Sequence, residues 1–329
     1  VYATYLGGAG NEQPHSLIVD NQGNLVVAGR SNSGNYPTVN PGGQVGVGGG
    51  FDIVVTKLNA TGTALIGSKK IGGSGDDGVN ITDNRAGGTN SLMRNYGDDG
   101  RSEVILDGAG NVYVASTTQS ANFPKSGLPF QGSFGGGLQD GVIIKLTPTL
   151  NAVSFASYLG GTGSDAAYVL SLAPNGNIYV GGGTESSNLP GSTVGTVGPS
   201  NHGGIDGFVS TISNNGSAIL RTTYIGTNGI DQVFCVQFDR NGFPYVMGQT
   251  TGNWPIVNAT YSNAGGKQFI AKLQPDLSSY VYSTAFGSGA STPNISPIAF
   301  LVDRCENVYI SGWGGFFFGN NDYNMAGTG

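Results

Sequence analysis

The chain has 329 residues, a formal net charge of −6, 59 glycines and only 10% charged residues. Its Lys and Arg residues are not clustered, so the positive surface that nucleic acid or an acidic membrane requires is missing. No apolar run approaches the ~18 residues of a membrane-spanning helix. The many Val, Ile, Tyr and Phe residues in short alternating runs instead predict strands separated by tight turns.

A strand preceded by a Gly turn recurs along the chain about every 65 residues, which is the signature of a repeat protein. The second residue of that strand is, in chain order, Val26, Tyr113, Tyr179, Tyr245 and Tyr309. The first spacing is longer than the others by roughly 22 residues, so we interpret residues 79–101 as an insertion. The predicted units are 1–15 (partial), 16–101, 102–167, 168–233, 234–297 and 298–329 (partial).

The unit that starts at residue 102 reads as four strands, "SEVILD", "VYVAST", "DGVIIKL" and "AVSFASYL". A repeated four-stranded antiparallel unit is typical of the blade of a β-propeller. The predicted fold class is therefore all-β: a single β-propeller over 1–329, expected to be a fragment of a larger ring. Because successive connections alternate between two faces, we expect the long second-to-third loops, the loops between blades and the insertion to share one face. Binding is predicted on that long-loop face.

The repeated motifs resemble the SBBP-type β-propeller repeat of bacterial surface proteins. The resemblance is carried by "DGAGNVYVASTT", "NFP", "DGVIIKL" and "FASYLGG", and the last stretch "SPIAFLVDRCENVYISGWGG" resembles large proteins of gliding bacteria. It implies a secreted or cell-surface protein exported by type IX secretion. Two departures stand out, since Gly266 takes the place where the family has Asp and Pro244 enters a strand, which predicts an irregular or edge position there.

Two Gly-rich stretches, "GGSGDDG" and "GGTGSD", are similar to a calcium-binding repeat. Carboxylates of Asp76, Asp77 and Asp165 would then supply the oxygen ligands that Ca²⁺ prefers. The alternative is a turn held by hydrogen bonds from the backbone to these side chains. We expect no cofactor, with calcium as the one candidate.

An aromatic residue followed by Pro recurs at Tyr36, Phe123 and Trp254. These rings are candidates for sugar stacking, and the alternative is that each ring packs the long loop onto its own blade. The insertion brings Arg85, Arg94 and Tyr96, which are residue types common at interface centres. We predict partner contact there, against the alternative of a tolerated surface loop.

Titratable side chains are scarce, since the chain has only two histidines, His15 and His202, in different units. General acid–base chemistry therefore has a poor supply of groups, and the sequence predicts that the protein is not an enzyme. The predicted function is a secreted or cell-surface binding and adhesion module for protein or polysaccharide. The alternative is a polysaccharide-acting enzyme with carboxylates such as Asp165 and Asp231 at the channel mouth.

The two cysteines, Cys235 in a predicted strand and Cys305 in a predicted turn, are interpreted as unpaired with each other. A mutual disulfide is the alternative, and two cysteines decide no redox compartment.

Overall fold

The computed structural model describes residues 2–39, 42–80, 100–290, 293 and 295–314. Over these residues the chain contains strands and turns but no helix, and so no helix that could cross a membrane. The first sheet is formed by β1 (Glu12–Val19), β2 (Leu25–Ser31), β3 (Gln44–Val45), β4 (Asp52–Leu58) and β5 (Leu65–Ile71). The second is formed by β6 (Glu103–Leu106), β7 (Val112–Thr118), β8 (Asp140–Leu146) and β9 (Val153–Leu159).

The remaining sheets repeat the same plan. The third comprises β10 (Asp165–Leu172), β11 (Ile178–Thr184), β12 (Asp206–Ile212) and β13 (Ile219–Ile225). The fourth comprises β14 (Asp231–Phe238), β15 (Pro244–Thr250), β16 (Gln268–Leu273) and β17 (Tyr280–Phe286), and the fifth has β18 (Ile295–Val302) and β19 (Val308–Gly314). Strands that follow each other in a sheet are antiparallel neighbours, except that the two-residue β3 lies beside β5. The predicted all-β class with four-stranded antiparallel sheets is confirmed.

Contacts divide the described residues into two compact units. The first holds residues up to 80, 100–170 and 216–218, and the second holds 171–215 and the residues from 219 onward. In the first unit, Val26, Ile53 and Val55 of the first sheet share one core with Val104 and Val114 of the second. This core is the packing of one sheet on the next, and it contains little beside Val, Ile, Leu and Ala.

The short turn between the first two strands of each sheet is held by its own residues. In the first sheet, an Asp20 carboxylate oxygen accepts hydrogen bonds from the backbone N–H groups of Gln22 and Asn24, both at 2.9 Å. Gly23 has a φ of 81°, a conformation that glycine adopts without strain. Asp107, Asp239 and Asp303 make the same bonds in later sheets, which explains why the stretch before each "YV" strand is so nearly repeated.

The long second-to-third connection follows a course that differs from the expected loop on one face. In the first sheet it forms β3, which pairs in parallel with the outer edge of β5. In the second, Ser126 bridges Ala156 of β9, and in the fourth, Val257 bridges Ser283 of β17. A fourth strand would otherwise present unpaired N–H and C=O groups along its outer edge. The long connection satisfies these groups, so much of it is occupied in pairing.

The structure corrects the predictions made for Gly266 and Pro244, the two departures from the repeat. In the first two sheets, Ser31 pairs with Asp52 and Thr118 pairs with Asp140. In the fourth sheet the matching Thr250 donates its N–H to the carbonyl of Lys267, so Lys267 rather than Gly266 replaces the Asp. Pro244 is the first residue of the central strand β15, where a missing N–H is tolerated, and not on an edge strand.

Both cysteines are free thiols, Cys235 buried in β14 and Cys305 exposed in the turn before β19.

Candidate functional site

The insertion interrupts a strand at its middle. Gly78 donates its N–H to the carbonyl of Thr117 and Asp77 bridges Thr118, as the first half of a strand beside β7 would do. The second half is β6, which pairs with Val112 to Ala115 of β7. Residues 81–99 lie outside the described residues, and the described chain on either side of them pairs with β7. The site described below lies at this base.

Polar and aromatic side chains gather where the insertion leaves and rejoins the strand. We name them the first-strand cluster: His15, Arg30, Asn80, Ser102, Glu103 and Tyr168. All belong to the first compact unit.

A β-bulge positions one member of the cluster, His15. The register of β1 on β2 shifts between Pro14 and Ser16, which leaves His15 as the extra residue. Aligning the sheets by their pairing puts Ser102 and Tyr168 at the same position of the second and third sheets. Bulges turn side chains away from the ordinary alternation, and this bulge brings His15 to Ser102 of the next sheet.

A chain of hydroxyl groups extends from the histidine. His15 Nδ1 lies 2.9 Å from Ser102 Oγ, and Ser102 Oγ lies 2.7 Å from Ser116 Oγ. Ser116 occupies the place of Gly29, where a Cβ would overlap the carbonyl oxygen of Gln13 in the neighbouring strand. In the second sheet this position holds a side chain, and its hydroxyl bonds to that of Ser102.

Glu103 is a carboxyl group inside the protein. One of its oxygens accepts a hydrogen bond from the Leu170 N–H at 3.0 Å. Burial raises the pKa of Glu103 to about 7, opposed by that hydrogen bond and by the charge of Arg101. A carboxyl with a pKa near 7 exchanges protons at physiological pH, which is a property of general acids and bases.

The other members surround the two ends of the insertion. Gln139 donates to Asn80 Oδ1 at 3.1 Å, and burial raises the pKa of Tyr168 above its usual value. On the opposite side, the Arg30 guanidinium lies 4.7 Å from the centre of the Phe51 ring. A Cβ at Gly100 would lie 2.7 Å from His15 Nε2, so the main chain approaches the imidazole closely.

Sequence reasoning missed this cluster because its members are spread along the chain from His15 to Tyr168 and share no motif. One signal was present in the sequence: the insertion falls inside the strand that carries the bulge position, and the same position holds His15 and Tyr168 in the adjacent units. Aligning the repeats from both ends of the insertion would have shown it.

The carboxylates predicted as calcium ligands bond to the protein itself. Asp77 is buried and accepts hydrogen bonds from the Gly73 N–H at 2.7 Å, from Ser120 Oγ at 3.0 Å and from Thr118 Oγ1. Asp165 accepts from the Gly161 N–H at 2.7 Å, and Asp76 from the Phe51 N–H at 2.8 Å. These bonds are those of the turn alternative. In the described part of the chain no three His, Cys, Asp or Glu side chains gather as a metal site would require.

Asp231, the further carboxylate named for the enzyme alternative, has the same environment. It is buried, and the Thr227 N–H donates to it at 2.7 Å. These aspartates therefore hold the loops that join one sheet to the next.

The aromatic–Pro side chains are buried in their own sheets. Tyr36 donates to or accepts from Thr56 Oγ1 at 2.9 Å, and Phe123 meets the Tyr158 ring edge-on at 6.1 Å. Trp254 stacks on Phe269 with ring centres 3.6 Å apart. Each ring anchors the start of its long connection, as in the packing alternative.

Among the remaining predicted residues, Arg85, Arg94 and Tyr96 lie outside the described residues. His202 is far from His15 in the sequence and contacts Asp206, with Nδ1 3.2 Å from the carboxylate oxygen. At the short-turn end of the first unit, a cavity of about 390 Å³ is lined by residues that include Asp20, Lys57 and Asp107. Lys57 is committed there to Asp20, at 2.8 Å.

Residues 1–37 match the model of a family described as SBBP, beta-propeller repeat. This match supports the resemblance drawn from the repeated motifs and adds to the confirmation of the fold class. The comparison with curated proteins gives no match.

Several solved structures are similar at low identity. A PL25 ulvan lyase, a polysaccharide lyase, gives a TM-score of 0.42 at 11% identity, with 84% of this chain and 56% of that chain covered. A protein of unknown function from Dyadobacter fermentans gives 0.49 at 12% identity, with 98% and 76% covered. A mutant NanB sialidase from Streptococcus pneumoniae gives 0.32 at 10% identity, with 98% and 68% covered. The chain thus spans little more than half of the lyase.

The expectation that the protein is not an enzyme is wrong as a deduction from composition. The similar structures include a polysaccharide lyase and a sialidase, and the scarcity of titratable residues did not prevent a His, a Tyr and a Glu from gathering in one cluster. At these TM-scores the comparisons assign no activity to this chain.

Proposed function

We propose that this protein is a secreted or cell-surface binding module that engages a protein or polysaccharide through the insertion and the first-strand cluster at its base. The observation that carries the proposal is the interruption of a core strand at a buried polar cluster. Both features cost stability, because a strand pairing is lost and polar groups are desolvated. Departures from the repeat that lower stability are expected at functional positions.

The proposal moves the binding surface away from the long connections. These are occupied along the outer edges of β5, β9 and β17, and their aromatic anchors are buried. The insertion falls between Gly78 and Glu103, inside the first strand of the second sheet, and not between two strands. The surface location is inferred from the family resemblance, since exported repeat proteins of this kind meet partners outside the cell.

A deletion tests the binding role directly. Removing residues 80–101 joins Val79 to Ser102, which gives "DGVSEV" in the register of "DAAYVL" in β10. The first strand of the second sheet then becomes continuous, so we expect thermal stability equal to or above that of the parent. Capture of cell-surface protein or polysaccharide, measured by biolayer interferometry on immobilised outer-surface material, is expected to be lost.

A matched control keeps the insertion and changes an exposed loop elsewhere, by Val194→Lys. That variant should bind as the parent does. Retained binding by the deletion variant, with a normal melting curve, would show that the insertion is not the contact.

Catalysis on polysaccharide is the second candidate, and it is favoured by the Glu103 carboxyl, which accepts the Leu170 N–H and has a pKa of about 7. Incubation with a panel of acidic and neutral polysaccharides, followed by reducing-end and unsaturation assays, would detect turnover. Glu103→Gln should abolish that turnover. Turnover that survives Glu103→Gln would exclude this carboxyl as the acid or base.

A further inference from the structure

One buried position of the second strand is a tyrosine in the second, third and fourth sheets and a valine in the first. It is the second residue of that strand, and it holds Val26 in β2, Tyr113 in β7, Tyr179 in β11 and Tyr245 in β15. The first sheet therefore lacks a ring and a hydroxyl that the next three sheets have inside the protein.

The tyrosine ring has a lysine over its face where the sheet has a lysine at the paired position. Lys145 Nζ lies 4.8 Å from the centre of the Tyr113 ring, and Lys272 Nζ lies 5.0 Å from that of Tyr245. The Tyr113 hydroxyl donates to Asp107, the first residue of the short turn, at 3.2 Å. A phenol ring in this place thus has a cation on its face and an acceptor for its hydroxyl.

The first sheet keeps the lysine and the aspartate but has no ring between them. Lys57 pairs with Val26 across β2 and β4, as Lys145 pairs with Tyr113 in the second sheet. Lys57 Nζ lies 2.8 Å from Asp20, the first residue of the short turn. The two groups that surround the Tyr113 ring are therefore both present around Val26.

A second acceptor for a phenol hydroxyl lies on the neighbouring sheet. Lys57 Nζ donates to the carbonyl of Pro148 at 2.9 Å. Pro148 has the place of Pro275, in the turn between the third and fourth strands of the next sheet, and the Pro275 carbonyl accepts the Tyr179 hydroxyl at 2.5 Å. The first sheet thus offers both of the acceptors that the tyrosine hydroxyls use elsewhere.

A cavity of about 390 Å³ lies at the place of the missing ring. Two of its lining residues, Ile18 and Lys57, are the residues that pair with Val26 on either side. Residues paired across antiparallel strands have their side chains on the same face of the sheet, so the cavity lies over the face that carries Val26. The other walls include Asp20, Leu106 and Pro148.

The cavity is an internal feature of the first compact unit, between two consecutive sheets. Gln22 and Ala109, which also line it, are exposed, so the cavity meets solvent at the short turns. An apolar cavity with a few convergent polar groups is typical of a small-ligand site.

We propose that this cavity binds the phenol ring of a ligand, in the place that tyrosine takes in the next three sheets. The face of the ring packs against Lys57, and its hydroxyl donates to Asp20. Ile18 and Leu106 contact its apolar edges. The site shares no residue with the first-strand cluster, so this proposal does not depend on the proposed function.

A titration with small aromatic compounds, followed by ligand-observed NMR, tests the proposal. p-Cresol is the tyrosine side chain alone, and we expect it to bind with a dissociation constant on the order of 1 mM. 4-Fluorotoluene has the same shape but no hydroxyl donor, so it should bind about tenfold more weakly. N-acetyl-tyrosinamide separates the two sources of a phenol: binding like that of p-cresol identifies a tyrosine side chain of a partner, and its exclusion identifies a free phenol.

Val26→Tyr fills the cavity with a ring of the protein itself. We expect this variant to lose p-cresol binding and to melt at or above the temperature of the parent. Val194→Tyr is the matched control, because it adds the same ring at an exposed position outside the cavity, and it should bind p-cresol as the parent does. If Val26→Tyr melts early, Leu106→Phe narrows the cavity from the other wall and should weaken binding.

Three results would each overturn the proposal. The first is a parent that shows no saturable p-cresol binding up to about 10 mM. The second is equal affinity for p-cresol and 4-fluorotoluene. The third is a filled variant that has a normal melting curve and binds p-cresol like the parent.

Discussion

At the scale of single residues, the joins after the first and second sheets share one arrangement, in which two aspartates lie on either side of a glycine. A Cβ on Gly160 would clash with Asp140 Oδ1 and lie 2.9 Å from Asp165 Oδ2, and Gly72 stands in the same way between Asp52 and Asp77. Both carboxyl groups of each pair are buried. The glycine is therefore required for close approach and not for a turn.

Gly160→Ala should destabilise the protein strongly, by about 2–4 kcal/mol, because buried carboxylates and backbone have little space to move. Urea unfolding followed by fluorescence measures the change. Gly108→Ala is the matched control, since a Cβ there meets nothing within 4 Å. Equal stabilities of the two variants would contradict the packing argument.

The same arrangement predicts how stability depends on pH. Burial and, to a smaller extent, the charge of the neighbouring Asp165 raise the pKa of Asp140 from an ordinary value of 3.8 to about 7. Because the folded-state pKa is above the unfolded one, the contribution of this group is fully present below about pH 4 and is lost as the pH rises through 7. Burial raises the pKa of Asp77 to about 7 and that of Asp231 to about 6, so they act in the same direction.

Asp140→Asn should therefore flatten the fall in melting temperature between pH 5 and pH 8, since an amide does not titrate. Differential scanning fluorimetry across that range measures the slope. Asp239→Asn is the control, because Lys272 holds the pKa of Asp239 below its usual value, and its slope over this range should equal that of the parent. An unchanged slope in Asp140→Asn would refute the assignment.

At the scale of the sheet, the short turn between the first two strands has an Asp–Lys ion pair. The two partners are either both present or both replaced. Lys57 lies 2.8 Å from Asp20, and Lys272 lies 2.7 Å from Asp239. In the third sheet, the same two positions hold Ala173 and Thr211. Loss of both partners together is what the energetics demand, because one buried charge without its partner is costly.

Lys272→Thr alone should cost about 3–5 kcal/mol, because Asp239 remains buried without its cation. The double variant Asp239→Ala, Lys272→Thr copies the third sheet and should recover a large part of that loss. Chemical denaturation of the parent, the single variants and the double variant gives the coupling energy. Losses that simply add would show that the pair is not coupled.

At the scale of the whole molecule, the described contacts of the acidic loops bear on calcium. The oxygens of Asp76, Asp77 and Asp165 already accept N–H and O–H groups of the protein, and a cation would have to displace those donors. We expect melting temperatures in excess calcium and in excess chelator to agree within about 1 °C. A rise of several degrees with calcium would support the metal-site prediction.

Strand order and sheet type could be predicted from the sequence because the pattern that specifies them is local. The "GN-x-YV" turn and strand repeat in every unit, and the hydrogen bonds of Asp20 and Asp107 lie within five residues of chain. The first-strand cluster could not be predicted in this way. His15 and Ser102 meet only because two first strands are neighbours, and the sequence separates them by 87 residues.

The sequence pattern likewise did not predict the course of the long connections. That course has a consequence for how a protein of repeated sheets is built. Because each repeat seals the outer border of its own fourth strand, as β3 does for β5, no blade depends on a neighbour to complete its hydrogen bonding there. Repeats can thus be duplicated or lost by recombination without exposing an unpaired strand edge, which could otherwise pair with other chains and form fibrils.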